Sequence, residues 1–203
     1  MVTLPEATIA KLLQPYCLPG NVFPNLLYEQ LSTYLDLLLK WNARTNLTAI
    51  RDPEEIVRRH FGESLFAAQY LGSCPTLLDF GSGAGFPGLP IALLRPEIVV
   101  TLAESQNKKA TFLREVVRTM NLNTEVWSAR AETLPESCQF HTVTLRAVDN
   151  MAIAIAAAAP RATHELLILS GTAAPTLPPI FTSQPTIAIP NTQSSILLRA
   201  TRA

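Results

Sequence analysis

The chain is poor in the residues that mark several functional classes. Its 3 cysteines, Cys17, Cys74 and Cys138, lie far apart with no C-x-x-C pair. That spacing excludes a disulfide framework and a cysteine zinc site and leaves inert thiols in a reducing compartment. The 3 histidines, His60, His141 and His164, stand on separate stretches without ligand spacing, so no metal is expected. Long apolar runs are missing, which argues against a membrane-spanning helix and a membrane partner. The opening Met1-Val-Thr-Leu-Pro5-Glu6 carries neither a basic stretch nor a continuous apolar one, so no secretory signal is read and a cytoplasmic location is expected. Charge is scarce as well: 16% of residues are charged, and 16 Lys+Arg balance 16 Asp+Glu to a net charge of zero. Enzymes of nucleic acids usually show a basic footprint, and here any excess is local. Residues 40–60 hold five basic residues (Lys40, Arg44, Arg51, Arg58, Arg59) against three acids. Residues 101–120 hold four (Lys108, Lys109, Arg114, Arg118) against two. Taken alone, such clusters read as solvated helix faces.

What is present is apolar. With 48% hydrophobic residues in 203, the chain fits one medium domain plus a small extension. Residues 3–16 read as a short helix ended by Pro19-Gly20. Leu26, Leu27, Leu31, Tyr34, Leu35, Leu38 and Leu39 recur at helical spacing and predict a second helix with one broad apolar face. Lys40 to Pro53, rich in Asn and Thr and ending in Asp52-Pro53, reads as a loop leading to a new helix from Glu54 to about Tyr70. Residues 1–72 are thus expected to form a helical cap on residues 73–203. From Leu77 the rhythm changes to alternating strands and helices. Strands are expected at 77–80, 98–103, 124–128, 142–145 and 166–169, with helices at 87–94, 107–120 and 151–159. Residues 172–180 read as a loop, and 186–189 with 196–199 as a closing hairpin. This is a mostly parallel α/β sheet with right-handed crossovers.

Within it, Thr76-Leu-Leu-Asp79-Phe-Gly81-Ser-Gly83-Ala-Gly85-Phe86-Pro87-Gly88-Leu-Pro90 runs from a buried-type strand through a glycine turn into a helix. Glycines at alternate positions turn the chain tightly and leave no Cβ between backbone and ligand. Strand, glycine turn and helix start together make a nucleotide site of the doubly wound kind. A dinucleotide fingerprint needs glycine where Phe86 stands. G-x-G-x-G after an acidic strand end is instead similar to motif I of S-adenosylmethionine-dependent methyltransferases. An ordinary glycine turn remains the plainer reading of the loop by itself.

In such sheets ligands lie at the carboxyl ends of the strands. Asp79 and the Gly81, Gly83, Gly85 loop follow the first strand. Glu104 ends the second, where its two oxygens suit a ribose diol, though it can equally cap the next helix. Arg130-Ala131-Glu132 follows the third and can meet the adenine, while Glu132 alone would pass for a solvated turn residue. Arg146 follows the fourth, beside the leaving methyl, or else pairs with Asp149. The coincidence of all four ends favours a methyl-donor site. Five parallel strands and an inserted antiparallel one resemble the class I methyltransferase sheet.

The sharper marks are Lys40-Trp41-Asn42, Asn46-Leu47-Thr48, Arg51-Asp52-Pro53, Arg59-His60 with Ser64, the Asp79 to Pro90 loop, and Arg146-Ala147. Through these, over Lys40 to Arg146, the chain resembles the bacterial small-subunit ribosomal RNA guanine-N7 methyltransferase G family, also called glucose-inhibited division protein B. The resemblance implies a class I S-adenosylmethionine-dependent (Rossmann-like) fold with an N-terminal helical cap. It implies methyl transfer from S-adenosyl-L-methionine to guanine N7 of 16S ribosomal RNA, free or in the small ribosomal subunit. Gly81, Phe86, Ala131, Glu132 and Arg146 fall on its cofactor-contact positions and Glu104 on its ribose-side acid. Arg146 is also the positioning candidate for catalysis, with no general base expected. Asn42, Asn46, Arg51, Arg58, Arg59 and His60 are expected on the RNA side, and a monomer is expected. Two departures stand out: Glu63 replaces the usual Asp before the serine of the Arg-His segment, and Ser170-Gly171 replaces a Lys-Gly pair. A class I methyltransferase of small molecules or proteins, and a non-catalytic nucleotide-binding module, are the alternatives.

Overall fold

The computed structural model describes residues 3–148, 150–171, 173–192 and 194–203. The chain opens with helix α1 (Glu6–Leu13), a 3-10 turn at Gln14–Tyr16, and the long helix α2 (Asn25–Thr45). α2 buries Leu27, Leu31, Tyr34, Leu35 and Leu38 on one stripe, as the spacing predicts. Two expectations change. Leu26 is 62% exposed, because it points about a third of a turn round the helix from the stripe. The helix also runs five residues past Lys40 and stops only at Asn46, whose left-handed backbone (φ 51°) ends it. Trp41 and Asn42 are therefore helical, not loop.

After Asp52 caps the Glu55 amide, the next helix is composite. It is α-helical at Pro53–Glu55 (α3), π-helical at Ile56–Gly62, and α-helical again at Glu63–Ala68 (α4). At Gly62 the ring of Tyr16 lies so close that a Cβ would sit 2.5 Å from it, so only glycine fits.

The sheet strands are β1 (Thr76–Phe80), β2 (Val99–Ala103), β3 (Thr124–Trp127), β4 (Phe140–Arg146), β5 (Ala162–Ser170), β6 (Phe181–Ser183), β7 (Ile187–Ala188) and β8 (Ile196–Arg202). Helices α5 (Gly88–Leu94), α6 (Asn107–Thr119) and α7 (Met151–Ala158) form the crossovers. The order is β3-β2-β1-β4-β5-β8-β6, with β7 also on β8. β1 to β5 are parallel, and β8 runs antiparallel to both β5 and β6. One reversed strand is thus inserted between two that run the same way. β6 was not foreseen, since three residues with one buried side chain leave no period to detect.

The core does not divide at residue 72. One cluster joins Ile9, Leu31, Tyr34 and Phe61 of the helical segment to Leu77, Leu102, Phe112 and Leu197 beneath the sheet. Arg95 clamps the crossing, donating to the carbonyls of Leu71 (2.7 Å), Gly72 (3.0 Å) and Ala68 (3.3 Å).

Candidate active site

Strand register builds the site. Phe80 pairs with Ala103 on one side and Leu145 on the other. The residues that follow, Gly81, Glu104 and Arg146, therefore emerge side by side at the carboxyl edge of the sheet. Gly81, Gly83 and Gly85 all have positive φ (76°, 57° and 98°), which L side chains seldom adopt. The turn is tied down at its start: the Gly81 and Ser82 amides donate to the Ala103 carbonyl at 3.0 Å each. Behind it the Phe86–Pro87 peptide is cis and α5 starts at Gly88, one residue later than expected.

Glu104 is buried (6% exposed) and bridges two elements. Its Oε2 accepts from the Gly83 amide (2.9 Å) and its Oε1 from the Gln106 amide (2.7 Å). It thus braces the turn leading into α6 and the glycine loop at once. A carboxylate has about four lone-pair positions, so two still face outward.

These residues line a cleft of about 300 Å³, at the lower bound for small-ligand sites. Its walls are Phe80, Gly81, Gly83, Ala103 and Glu104 from β1 and β2, with Ala131 and Glu132 opposite. Ser105, Lys109, Ala129, Arg130, Ala147 and Val148 complete it. A Cβ on Gly83 would meet nothing nearer than the Gly81 carbonyl at 3.9 Å, so the loop leaves its backbone open to a ligand. An open glycine cradle beside an acid with free lone pairs fits the methionyl and ribose parts of S-adenosylmethionine.

Four expected contacts stand outside that lining. Asp79 lies below the loop, 1% exposed, with Oδ2 accepting from the Gly88 amide (3.0 Å) and Oδ1 from the Thr144 hydroxyl (2.9 Å). Burial raises its carboxyl to about 6, against the pull of those hydrogen bonds. It shapes the turn from beneath. Gly85 is pressed against Tyr34 and Leu89, where a Cβ would not fit. Phe86 faces the helical cap, stacked on His60 (4.6 Å between ring centres) and Tyr34 (5.5 Å) and tilted against Phe61 (5.7 Å). The Tyr34 hydroxyl donates to the Ala84 carbonyl at 2.5 Å, so the cap also grips the loop.

Arg146 is the fourth. Its guanidinium carbon lies 5.9 Å from the Phe86 ring centre, and its Nη2 donates to Glu63 Oε2 (2.9 Å) and the Arg59 carbonyl (3.0 Å). Burial pushes its pKa below the usual arginine value while Glu63 pushes it back. Asp149, the other partner considered, lies outside the described residues. Sequence reasoning quoted Glu63 without giving it a role. The available signal was a lone acid heading the apolar run Glu63-Ser-Leu-Phe-Ala-Ala. Arg161, also missed, is buried and carries the third wall. It donates to the carbonyls of Leu134 (2.5 Å), Pro135, Cys138 (3.2 Å) and Glu132 (3.3 Å), and nothing in its local sequence announces this.

The expected RNA-side residues divide in two. Asn42 is buried, trading both amide groups with the Thr48 backbone at 3.0 Å. His60 is held neutral: its Nε2 meets the Thr48 hydroxyl at 2.8 Å, and burial, aided by Arg146 and Arg59, lowers its pKa to about 3. At the surface, Arg51 donates to the Asn42 carbonyl (2.8 Å) and to Asn46 Oδ1 (2.7 Å). Arg58 pairs with Glu54 at 2.6 Å, and Arg59, half exposed, lies 3.4 Å from Glu63. Among the described residues, no group of three or more His, Cys, Asp or Glu is placed to hold a metal, and no helix is long and apolar enough to cross a membrane.

A sheet of this order, with one reversed strand and its cleft at the β1, β2 and β3 ends, defines a class I S-adenosylmethionine-dependent methyltransferase fold. Solved structures agree at the level of fold. A putative methyltransferase yhhF from Escherichia coli superposes with a TM-score of 0.56, at 18% identity over 70% of this chain and 83% of its own. TYW2 from P. horikoshii, solved in complex with MeSAdo, gives 0.56 at 13% identity over 70% and 63%. More narrowly, the chain belongs to the rRNA small subunit methyltransferase G family, whose model matches residues 27–175. Proteins named ribosomal RNA small subunit methyltransferase G are similar to it. That of Xanthomonas euvesicatoria pv. vesicatoria (strain 85-10) is 48% identical over 124 residues, and that of Xylella fastidiosa (strain M23) 49% identical over 122. These alignments cover 61% and 60% of this chain, and the chain spans 58% and 57% of those relatives.

Proposed function

We propose that the chain binds S-adenosylmethionine in the cleft between the glycine loop and Ala131–Glu132 and transfers its methyl group to N7 of a guanine in 16S ribosomal RNA. The observation that carries the cofactor reading is Glu104: one carboxylate fixes the Gly83 amide and keeps lone pairs for a ribose. The family and its named relatives support the ribosomal RNA substrate. The bound cofactor supplies an electrophilic methyl on a sulfonium. On the protein side, Gly81 and Gly83 let the backbone approach, Glu104 and Glu132 orient the sugar and base, and Val148 and Phe80 exclude water. Guanine N7 has a free in-plane lone pair, so no residue has to remove a proton first. Alignment of the reacting atoms then carries catalysis, an effect worth up to roughly 7–11 kcal/mol in ideal cases. Arg146, held by Glu63, sits next to this point. N7 lies in the deep major groove of A-form RNA, so the target guanine is read in a loop or flipped out. Arg51, Arg58 and Arg59 provide cations for phosphates, and Asn42, Asn46 and His60 hold the surface that presents them. The protein works as a cytoplasmic monomer on free RNA or the small subunit.

Labelled S-adenosylmethionine should transfer its methyl to 16S RNA or to intact small subunits, with N7-methylguanine found by mass spectrometry. Label appearing only on a protein or small molecule would overturn the RNA reading. The pairing of Arg58 with Glu54 at 2.6 Å is what favours that second reading. Substrate binding that weakens steeply with salt would exclude it.

A further inference from the structure

Arg146 is a nearly buried cation at the end of β4, and the two residues that follow it, Ala147 and Val148, line the cleft. Its side chain is 10% exposed, and among the described residues only its Nη2 has hydrogen-bond partners. Among the described residues, the carboxylate that touches it is Glu63, whose side chain is 4% exposed. Glu63 comes from the helical cap, not from the sheet. Its other oxygen accepts from the Ser195 hydroxyl at 3.3 Å and lies 3.4 Å from Arg59, which is half exposed and screened by water. The pair therefore brings three segments together at the edge of the site: α4, the end of β4, and the approach to β8.

We propose that Glu63 is a positioning residue whose charge cancels that of Arg146, so that a sulfonium can bind beside it. This rests on reading the cleft as an S-adenosylmethionine site. In the transfer, the guanine N7 lone pair forms the new N–C bond while the S–C bonding pair returns to sulfur. The positive charge leaves sulfur and appears on the base. Methyl donor and methylated product are both cations, so an unpaired guanidinium at this edge would repel each. With Glu63 in place, Arg146 keeps its Nε and Nη1 donors but adds almost no net field. Removing one partner of a buried pair leaves the other charge uncompensated, where it acts strongly on its neighbours.

The test uses ligand charge as the probe. S-adenosylmethionine is cationic at sulfur, and S-adenosylhomocysteine is neutral there with nearly the same shape. Both are titrated calorimetrically into the same preparation of the 203-residue chain, so a partly unfolded fraction cancels in the ratio of their dissociation constants. Glu63→Gln should weaken S-adenosylmethionine relative to S-adenosylhomocysteine by about tenfold, near 1.4 kcal/mol. Arg146→Gln, which leaves Glu63 bare, should move the ratio in the opposite direction. Glu63→Asp should restore it. Opposite signs let either variant decide the matter if the other does not fold. Both affinities changing in parallel would overturn the proposal and make Glu63 a packing residue. Wild-type protein binding neither ligand would overturn the cofactor reading itself, a different result from an unmoved ratio.

Discussion

Glu104→Gln is the substitution whose consequences follow most directly from the geometry. The glutamate receives two backbone amides, Gly83 at 2.9 Å and Gln106 at 2.7 Å, one on each oxygen. Glutamine has the same shape but only one acceptor atom. Its NH2 must face one of those N–H groups, donor against donor, whichever way the amide is turned. At a site only 6% exposed, a backbone amide left unsatisfied costs about 1–3 kcal/mol. For a chain of this length that is a fall in melting temperature of roughly 2–10 °C. The cofactor should lose more. Each ribose hydroxyl bonded to an ionised carboxylate contributes about 1.5–3 kcal/mol, so losing the ionised pair should weaken S-adenosylmethionine by roughly 100-fold or more. Scanning calorimetry and titration calorimetry on one preparation read the two effects separately. A variant that melts lower but binds the cofactor as before would show that Glu104 is only a structural brace. A variant unchanged in both would refute the hydrogen-bond argument altogether.

Two further substitutions probe what lies under the loop. Gly88→Ala would place a Cβ 2.7 Å from Asp79 Oδ2 and 2.9 Å from Asp79 Cβ in a buried layer, so a loss of about 2–3 kcal/mol is expected in urea unfolding, and a loss near zero would contradict the packing. Asp79→Asn tests the raised carboxyl. The folded carboxyl titrates at about 6 and the unfolded one near 3.9, so the folded state binds the proton more tightly and the group's contribution is complete at low pH. Stability of the wild type relative to Asp79→Asn should therefore fall by about 2–3 kcal/mol between pH ~4 and ~7. Taking the difference cancels the opposite slope from His60, whose depressed pKa costs stability as pH falls. A relative stability that rises with pH would refute the assigned direction.

The parts of the site that lie on strands could be read from the sequence, and the parts made by contact between elements could not. Parallel pairing places every strand's final residue on one edge, so Gly81, Glu104 and Arg146 needed only correct strand ends to be brought together. The glycine loop was legible because positive φ demands glycine and leaves a visible pattern. Asp79 was read too simply: a carboxylate at a strand end can face the ligand or the helix behind the loop, and one atom's direction decides which. Glu63 depended on a helix from the other side of the molecule. Its reach is set by a π-helical segment, whose extra residue per turn shifts every later side chain and leaves no periodicity to detect. Asn42 and His60 looked like surface polar groups because polar residues near basic ones suggest a binding face. Thr48, between them in sequence, satisfies Asn42 through its backbone and meets His60 Nε2 through its hydroxyl.

The neutral composition also changes meaning once burial is known. Four of the 16 acids, Glu63, Asp79, Glu104 and Glu165, are buried among the described residues, but only one of the 16 bases, Arg161, is. Among the described residues the fold therefore withdraws more acid than base from water, four acids against Arg161 and the nearly buried Arg146. The acids went inside for structural reasons: Glu104 to hold the glycine loop, Asp79 to hold α5, Glu63 to balance Arg146, and Glu165 to pair with Arg199 at 2.7 Å. Three of these four stand at or under the carboxyl edge of the sheet, so building the cofactor site is what takes acid off the surface. A balanced sequence can in this way yield a cationic exterior without any run of Lys or Arg. Zero net charge is then no argument against an RNA substrate. Electrostatic attraction depends on the charges that face the phosphates, and the formal sum includes those the fold has placed elsewhere.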